Sequence, residues 1–373
     1  MEMGARIPAE IFPPGEFLKD ELEARGWTQV EFAEIIGKDT RLVSEVISGK
    51  RTVTPETAIA LGEALGTGAE LWMNLESQYQ LSKVRSVGQE SIAKKASLHS
   101  KFPVREMVKR GWLEATKNVD VLEKQLLDFF SISAIDEPPS FMHAAKKKSY
   151  EETPTTQLAW LCRSRNLAHA NIVNKFIDSR FDQLLADLKE HIEFVDGVRL
   201  VPSILNQYGI RYVVVESLPG SKIDGACFWL DKSSPVVAMS LRFDRVDNFW
   251  HTLFHELDHV KNKEGQSHPI IDIDIQSTDE KPEIEIRANN VAADNLISKK
   301  EMDGFVARVN PLFSEDAILG FANRVHVHPG IVVGQLQNRG LIPWNFHRKK
   351  LEKIRDHLLV SALTDGFGKM VNL

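Results

Sequence analysis

The segment HTLFHELDHVKN at 251–262 constrains the fold of this chain more than any other. His255 and His259 are four positions apart, so on an α-helix they lie about 40° apart around the axis and one turn apart along it. Both imidazoles then face the same point in space and are able to bind one Zn²⁺. Glu256 lies beside them, where it can accept a proton from water. Apolar residues surround all three, which predicts a buried helix whose polar groups need partners.

A third metal ligand is predicted in EIEIRANNVAADNLIS at 283–298, where small alanines allow a helix to pack closely against the first. Glu285 is the predicted ligand. Asn289, one turn later, is predicted to hold the far nitrogen of a histidine ligand. Glu283 is the alternative ligand, and an exposed helix without a metal role is the other interpretation. The residues between the two helices that are able to bind a cation by chance are His268, Asp272 and Asp274.

Three further histidines each have two interpretations. His251 lies one turn before His255, where it either contacts the metal or the substrate or is a core histidine with a hydrogen-bond partner; we favour the second. His326 and His328, in HVHPG, either polarise a substrate carbonyl or form a turn before the next helix. We favour the turn.

Three segments rich in β-branched and aromatic residues predict strands of one sheet, at 209–218, 225–231 and 235–243. A helix is predicted after them from 248 to 262, with Asp247 as its N-cap. Glycines and prolines punctuate a run of short helices before the strands. The remaining predicted elements are short helices within 14–80, helical segments at 83–131 and 157–192, a linker at 132–156, and helices at 283–298, 314–340 and 347–361.

The segment WTQVEFAEIIGKDTRLVSEVISGKR at 27–51 predicts two short helices joined by a tight turn. Thr28 can cap the first helix, Ala33 allows close packing, Gly37 makes the turn and Gly49 ends the second helix. This is the arrangement of a helix-turn-helix, which places the start of its second helix in the DNA major groove. The residues predicted to face base edges are Thr40, Arg41, Ser44 and Glu45. Those predicted near phosphates are Gln29, Lys38, Lys50 and Arg51.

The charge distribution restricts how this chain can bind DNA. The formal net charge is −6, and residues 1–80 hold 7 Lys and Arg against 14 Asp and Glu. Binding by overall positive charge is therefore excluded, and the N-terminal segment depends on the local basic residues of 38–51. Residues 82–112 hold 8 Lys and Arg against 2 acidic residues. They form either a solvated helix face, which we favour, or a second DNA contact.

Composition predicts a cytoplasmic protein without a membrane segment. No apolar run approaches the roughly 18 residues that a membrane span needs. The N-terminus lacks the pattern of a signal peptide. Only two cysteines occur, Cys162 and Cys227, so a disulfide scaffold is excluded and a metal site must use His and carboxylate ligands.

Residues 7–81 resemble a known regulator family. The segment 27–51 is similar to the Cro/C1-type helix-turn-helix. IPAEIFPPGEFLKDELEARGWTQVEFA, GKRTVTPETAIALGEALGT and AELWMNLESQYQL resemble the HigA-type antitoxins more narrowly. The resemblance implies a homodimer on a palindromic operator, often that of its own promoter. It implies a toxin partner only weakly, because other regulators share this domain.

Residues 195–300 resemble the ImmA/IrrE family of zinc peptidases. That family pairs H-E-x-x-H with a later E-x-x-A-N-x-F-A helix, and this chain has HELDH and EIRANNVA. Asp258 stands where glycine is usual, so it either disturbs helix packing or offers the metal an additional oxygen. Val291 replaces a phenylalanine. The resemblance implies a zincin-like fold and a site-specific endopeptidase whose known targets include helix-turn-helix repressors. It also implies that strand 225–231 or 235–243 pairs with the substrate backbone.

These features predict an α+β chain of four regions. They are a helix-turn-helix bundle at 1–81, a helical connection at 82–194, a zincin-like core at 195–300 with a three-stranded sheet, and a helical extension at 301–373. Three functions fit these features. The first is a DNA-binding regulator with an active zinc endopeptidase that cuts a repressor, a toxin or itself. The second is a repressor or antitoxin whose second domain is a non-catalytic sensor or partner-binding module, and the third is a toxin-like peptidase restrained by its DNA-binding half.

Overall fold

The computed structural model describes residues 12–84, 89–137, 154–273 and 282–366. The chain divides into two compact units, Met1–Lys95 and Ala96–Leu373. Most of the predicted linker at 132–156 lies outside the described residues, as does Asp274. The predicted helix-turn-helix lies in the first unit, and the predicted metal ligands lie in the second.

The N-terminal unit is a bundle of short helices around one apolar core. The helices are α1 (Pro14–Arg25), α2 (Gln29–Ile35), α3 (Thr40–Ile47), α4 (Pro55–Leu65) and α5 (Ala69–Val84), followed by α6 (Gln89–Lys101), which crosses into the second unit. Each of α2, α3 and α4 is preceded by a capping residue whose side chain accepts a backbone N–H of the helix. These capping residues are Thr28, Asp39 and Thr54 respectively. Local capping therefore sets the short helices that the sequence predicted.

Helix α1 packs backbone to backbone against the end of α3. Gly15 is buried, and a Cβ atom at this position would lie 2.2 Å from the carbonyl oxygen of Val46 and 2.6 Å from that of Ile47. Leu18 and Val43 are both fully buried in the same core. The position of the second helix of the helix-turn-helix therefore depends on a residue without a side chain in α1.

The second unit contains the sheet and the remaining helices. Those helices are α7 (Val104–Lys109), α8 (Val119–Phe130), α9 (Thr155–Ala170), α10 (Phe181–Lys189), α11 (Val201–Gln207), α12 (Val246–Lys261), α13 (Glu283–Leu296), α14 (Lys299–Val309), α15 (Glu315–Val325), α16 (Pro329–Asn338) and α17 (Arg355–Leu358). Helix α12 begins at Val246, so the predicted cap Asp247 lies in its first turn and pairs with Arg245. The predicted helix over 314–340 is interrupted at His326, whose φ is 54°.

The sheet has five strands in the order β4-β2-β3-β1-β5. They are β1 (Arg211–Val214), β2 (Ile223–Trp229), β3 (Pro235–Met239), β4 (Ile270–Ile273) and β5 (Leu363–Thr364). The three predicted strands do form one sheet, but the prediction of three strands alone was wrong. Strand β4 pairs antiparallel with β2, and β5 pairs parallel with β1. Both added strands are short edge strands whose partners are distant in sequence.

Alternate residues of the strands face two different cores, as the period of a strand requires. Cys227 and Val237 belong to the core that contains α12, whereas Phe228 and Val236 belong to the core that contains α8 and α9. The sheet is therefore a middle layer. Helix α12 lies on one face of it and presents its polar residues near the β4 edge. In the part of the chain that the structure describes, no helix is long and apolar enough to cross a membrane.

We expect Gly15→Ala to destabilise the N-terminal unit by about 1–3 kcal/mol, because the added methyl group forces α1 away from α3. Hydrogen–deuterium exchange of the full-length protein measures this directly. Peptides from α1–α3 should lose protection, and peptides from α12 should keep theirs. Asp20→Ala, an exposed change on the same helix, is the control. Equal protection in Gly15→Ala and wild type would show that the two helices are not in contact.

Candidate functional site

The two histidines of the H-E-x-x-H motif face each other inside the second unit. His255 and His259 are fully buried, and their Nε2 atoms lie 3.1 Å apart. Both side chains leave α12 from successive turns, which is the consequence expected of their spacing. The structure therefore brings the two predicted histidine ligands together in an interior shielded from water.

Two carboxylates complete the cluster. Glu285 of α13 places Oε2 at 3.1 Å from His255 Nε2 and Oε1 at 3.7 Å from His259 Nε2. Asp272 of β4 places Oδ2 at 3.1 Å and 3.9 Å from the same two nitrogens. Ligands at about 2.1 Å from a tetrahedral zinc lie about 3.4 Å from one another. The four residues, whose ligand atoms all lie within 4.8 Å of one another, thus have the donor types and the spacing of a zinc site.

Several buried polar atoms of this cluster have no hydrogen-bond partner among the described residues. They are His255 Nδ1, Asp272 Oδ2 and both carboxylate oxygens of Glu256. Leaving a buried polar atom without a partner costs about 1–3 kcal/mol, so native structures rarely do it. A cation between the imidazoles would serve as the partner of Asp272 Oδ2. The residues present therefore fit the metal that their types predict.

Glu256 lies against strand β2 rather than in the ring of four ligands. It is fully buried, and a Cβ atom at Gly225 would lie 2.1 Å from its Oε1. Any side chain at this position of β2 would overlap the carboxylate in its present position. Burial raises the pKa of Glu256 well above its usual value, and the neighbouring charge of Asp272 raises it further. The predicted general base is thus next to the cluster, held between α12 and β2.

The cluster strongly attracts positive charge. Burial alone lowers the pKa of His255, but the carboxylates of Asp272 and Glu285 outweigh it and raise that pKa to about 10. Burial has the opposite effect on Glu285 and raises its pKa, but the hydrogen bonds of Glu285 with His255 and His259 outweigh burial and lower that pKa. These opposite shifts have one cause, since each charge stabilises the other. A divalent cation would satisfy the same carboxylates more completely than protons do.

A chain of ion pairs contacts His259 on the side of the ring that faces away from the cluster. Glu264 Oε2 lies 2.7 Å from His259 Nδ1, the ring nitrogen that faces away from the cluster. Arg287 of α13 donates to Glu264 at 2.6 Å and to Asp258 at 2.9 Å. The indole of Trp229 donates to the Glu264 carbonyl at 2.9 Å. A carboxylate on the far nitrogen of a histidine ligand fixes the ring orientation and its tautomer, so Glu264 has the position of such a support.

The same network contains Asp258, which was expected either to disturb helix packing or to offer the metal an additional oxygen. Asp258 is buried, with 6% of its surface exposed, and its carboxylate pairs with Arg287 of the adjacent helix. It is not among the four residues whose ligand atoms converge. Helices α12 and α13 pack together in its presence. The Asp258 charge therefore joins the two helices that carry the predicted ligands.

Other predicted residues lie where the sequence did not place them. Asn289 Oδ1 lies 3.1 Å from His251 Nε2, so Asn289 pairs with His251 and not with either predicted histidine ligand. Glu283 is exposed, and Glu285 alone of the two enters the cluster. His328 Nδ1 accepts the N–H of Gly330 and caps α16, while His326 is a C-cap with a side chain 81% exposed. HVHPG is therefore a turn, the interpretation that we favoured.

Sequence reasoning missed the roles of Asp272, Gly225 and Glu264. Asp272 was considered only as an accidental ligand. The alternation of Ile and Asp in IIDIDI at 270–275 is the signal that predicts a strand with its acids on one face. Gly225 carries no local signal, because its partner Glu256 is brought to it by the fold. Glu264 follows His259 by five positions, so a contact between these two side chains could have been predicted from the sequence.

The two strands predicted to pair with a substrate, β2 and β3, are neighbours in the sheet. Strand β3 has neighbours on both sides, β2 and β1, so it has no free edge. Strand β2 runs beside the cluster, and its outer edge pairs with β4 through Gly225 and Asp272, Ala226 and Ile271, and Cys227 and Ile270. Among the described residues neither strand therefore has a free edge, but β2 is the one whose outer neighbour, β4, lies at the end of the sheet.

The candidate DNA-binding surface lies in the first unit. Helices α2 and α3 are joined by a turn at Gly37, whose φ is 62°, and α3 ends before Gly49, whose φ is 67°. The residues predicted to face DNA are all at least partly exposed. Those that are exposed are Gln29, Lys38, Arg41, Ser44, Lys50 and Arg51, and those that are half-buried are Thr40 and Glu45.

Two of the predicted base contacts pair with each other. Arg41 Nε donates to Glu45 at 2.8 Å, and Arg51 lies 3.4 Å from the same carboxylate. The (i, i+4) spacing of Arg41 and Glu45 on one helix produces this pair. The Arg41 side chain is 82% exposed, so the pair is weak and the guanidinium can exchange it for another acceptor. Glu45 consequently orients two arginines on the surface predicted to meet DNA.

Similarity to known proteins is found for the helix-turn-helix region. The family model HTH_3, described as helix-turn-helix, matches residues 18–72. The HTH-type transcriptional regulator YddM of Escherichia coli is 29% identical over 70 residues, which are 19% of this chain and 74% of YddM. The structure of a HigA-family addiction module antidote protein from Coxiella burnetii is 28% identical, with a TM-score of 0.22, and the match covers 23% of this chain and 94% of that one.

A third relative carries the family assignment. Antitoxin HigA-1 of Vibrio cholerae is 39% identical over 91 residues, which are 24% of this chain and 83% of the antitoxin. The matched helix-turn-helix at 18–72 contains the capped helices α2 and α3 and the turn at Gly37. Through this N-terminal unit, the chain belongs to the helix-turn-helix family of antitoxin HigA-1.

Proposed function

We propose that this protein is a DNA-binding regulator whose second unit is a zinc-dependent endopeptidase of the ImmA/IrrE type, acting on a regulatory protein such as a repressor, a toxin or the chain itself. One observation carries the enzymatic half. Two buried histidines and a glutamate from a second helix converge, and a buried glutamate without a hydrogen-bond partner among the described residues lies beside them. This combination is characteristic of H-E-x-x-H peptidases.

His255, His259 and Glu285 would hold the metal. Bound zinc supplies Lewis acidity, which polarises a peptide carbonyl and makes water more acidic. Glu256 accepts the proton of the attacking water and delivers it to the departing amine, the two tasks of a general acid–base group. Its burial against Gly225 fixes the carboxylate, and the Glu264–Arg287 pair fixes His259. The dry surroundings strengthen each of these electrostatic interactions.

The N-terminal unit binds double-stranded DNA through α3 in this proposal. Arg41 and Ser44 lie on the exposed side of that helix, and Lys38, Lys50 and Arg51 flank it as phosphate contacts. HigA-1 is named an antitoxin and YddM a transcriptional regulator. We therefore propose a homodimer on a palindromic operator, with a toxin as a further partner of the same unit, in a cytoplasmic protein.

One observation favours a second function, in which the C-terminal unit binds zinc without catalysis and serves as a sensor or partner-binding module. Four protein ligands are typical of structural zinc sites, whereas catalytic sites keep one position open. Asp272 makes the ligand set four. Asp258, which first suggested this alternative, no longer supports it because its carboxylate pairs with Arg287.

The variant Glu256→Gln tests the enzymatic half. We expect both this variant and wild type to bind one zinc per chain, because Glu256 is not one of the four converging residues. Cleavage should fall about 10²–10⁴-fold, since the general base is lost. Metal analysis of purified protein measures the first quantity, and mass spectrometry of regulator fragments in the host measures the second. A metal-free wild-type protein, or fragments that persist with Glu256→Gln, would falsify the proposal.

The variant Glu264→Ala tests the support behind His259. We expect the zinc dissociation constant to rise about 10–100-fold, because the imidazole loses the group that orients it. Competition with a chelator of known affinity measures the change. Glu283→Ala, which removes an exposed glutamate two positions before Glu285, is the matched control and should leave the constant unchanged. Equal effects of both substitutions would mean that only net charge matters.

The variant Arg41→Ala tests the DNA-binding half. We expect affinity for a fragment of the protein's own promoter to fall about 10–100-fold, as for loss of one arginine–base contact of about 1–3 kcal/mol. Electrophoretic mobility shifts at fixed salt concentration measure it. Lys19→Ala removes the same charge from an exposed site on α1 and serves as the control. The predicted orientation of α3 is wrong if Lys19→Ala weakens binding as much as Arg41→Ala.

A further inference from the structure

Strand β4 has the position of a bound substrate. It is an edge strand of four residues, Ile270–Ile273, antiparallel to the edge of β2 that runs beside the metal cluster. Peptides commonly bind proteins by adding a strand to such an edge, through backbone hydrogen bonds. Among the described residues, β2 offers no other edge, because its opposite side pairs with β3. The chain thus fills its own strand-binding site.

Asp272 connects this strand to the cluster. It is the register partner of Gly225, the residue against which the Glu256 carboxylate lies. Its side chain is 3% exposed, and Oδ2 lies 3.1 Å from His255 Nε2. Asp272 is therefore placed between the predicted general base and the predicted ligands, where the reacting carbonyl of a substrate would have to enter.

Ligand number decides what this placement does. His255, His259 and Glu285 are three protein ligands, the number of a catalytic zinc site with an open position. A fourth protein ligand closes the site. Asp272 brings a charged oxygen to the same point as the other three, and it arrives on a strand that blocks the adjacent edge of β2. One short segment thus covers both the coordination position and the backbone-binding edge.

We propose that residues 270–273 are a built-in pseudosubstrate, with Asp272 as the fourth zinc ligand, and that a substrate strand must displace them before cleavage. This inference rests on the proposed zinc peptidase function and adds its regulation. A segment that leaves β2 also exposes Gly225 and Glu256 to the incoming backbone. Four residues at a sheet edge are easier to displace than a central strand, because they pair on one side only.

Acetohydroxamate, a small chelator that binds zinc at an open position, tests this directly on the full-length, zinc-loaded protein. If Asp272 closes the site in at least about 90% of molecules, apparent affinity in wild type is reduced at least about tenfold. We therefore expect Asp272→Ala and Asp272→Asn to bind acetohydroxamate at least about tenfold more tightly than wild type. The asparagine variant preserves the shape of β4 and guards against a folding defect. Asp128→Ala, on the exposed side of α8, is the control and should match wild type.

Zinc content and peptide cleavage, measured on the same samples, separate the possible failures. One zinc per chain with equal acetohydroxamate affinity in all four proteins overturns the pseudosubstrate alone. Tighter binding in both Asp272 variants supports Asp272 as the fourth zinc ligand, and tighter binding together with cleavage by these variants supports the pseudosubstrate. Cleavage by Asp272→Ala supports the peptidase as well if it disappears in the double variant that also carries Glu256→Gln. Absence of cleavage by Asp272→Ala overturns the peptidase and leaves Asp272 as a zinc ligand. Absence of zinc from every sample overturns both.

Discussion

Two imidazoles and three carboxylates meet in the dry interior between α12, α13 and β4, and the second unit is organised around that meeting. Separate carboxylates in such an interior repel one another and lose their hydration. A shared positive charge removes both penalties at once. The apolar side of α12 anchors the site in the main core, the small residues Ala288 and Ala292 bring α13 close, and β2 supplies a glycine where the third carboxylate needs space.

A second group of charged residues next to the cluster also places a cation between carboxylates. Arg287 is flanked by Asp258 and Glu264, and Glu264 connects it to His259 Nδ1, the ring nitrogen that faces away from the cluster. Asp258 and Glu264 thus share one cationic partner, Arg287. This alternation allows a chain of net negative charge to concentrate acids in one place and keep the two helices together.

Local patterns explain how much of this was predictable. The period of a helix places His255, Glu256 and His259 without any knowledge of the remaining fold, and caps such as Thr28 define the short helices of the first unit. Glu285 was accessible because alanines mark the side of α13 that approaches α12. Asp272 and Gly225 depend on strand pairing between distant segments, and β5 is too short to leave a pattern. The partner of Asn289 was mispredicted because His251, one turn before the motif, competes for the same amide.

Gly225 has a consequence for evolution of the site. The Glu256 carboxylate rests on bare backbone, so its depth below the edge of β2 is set by the main chain and not by any side chain that could be exchanged. Even alanine at 225 would push the carboxylate from its place, so the backbone at 225 sets the distance between the predicted acid–base group and a strand that pairs with β2. We therefore expect substitutions that change substrate preference at positions that flank residue 225 and not at residue 225 itself.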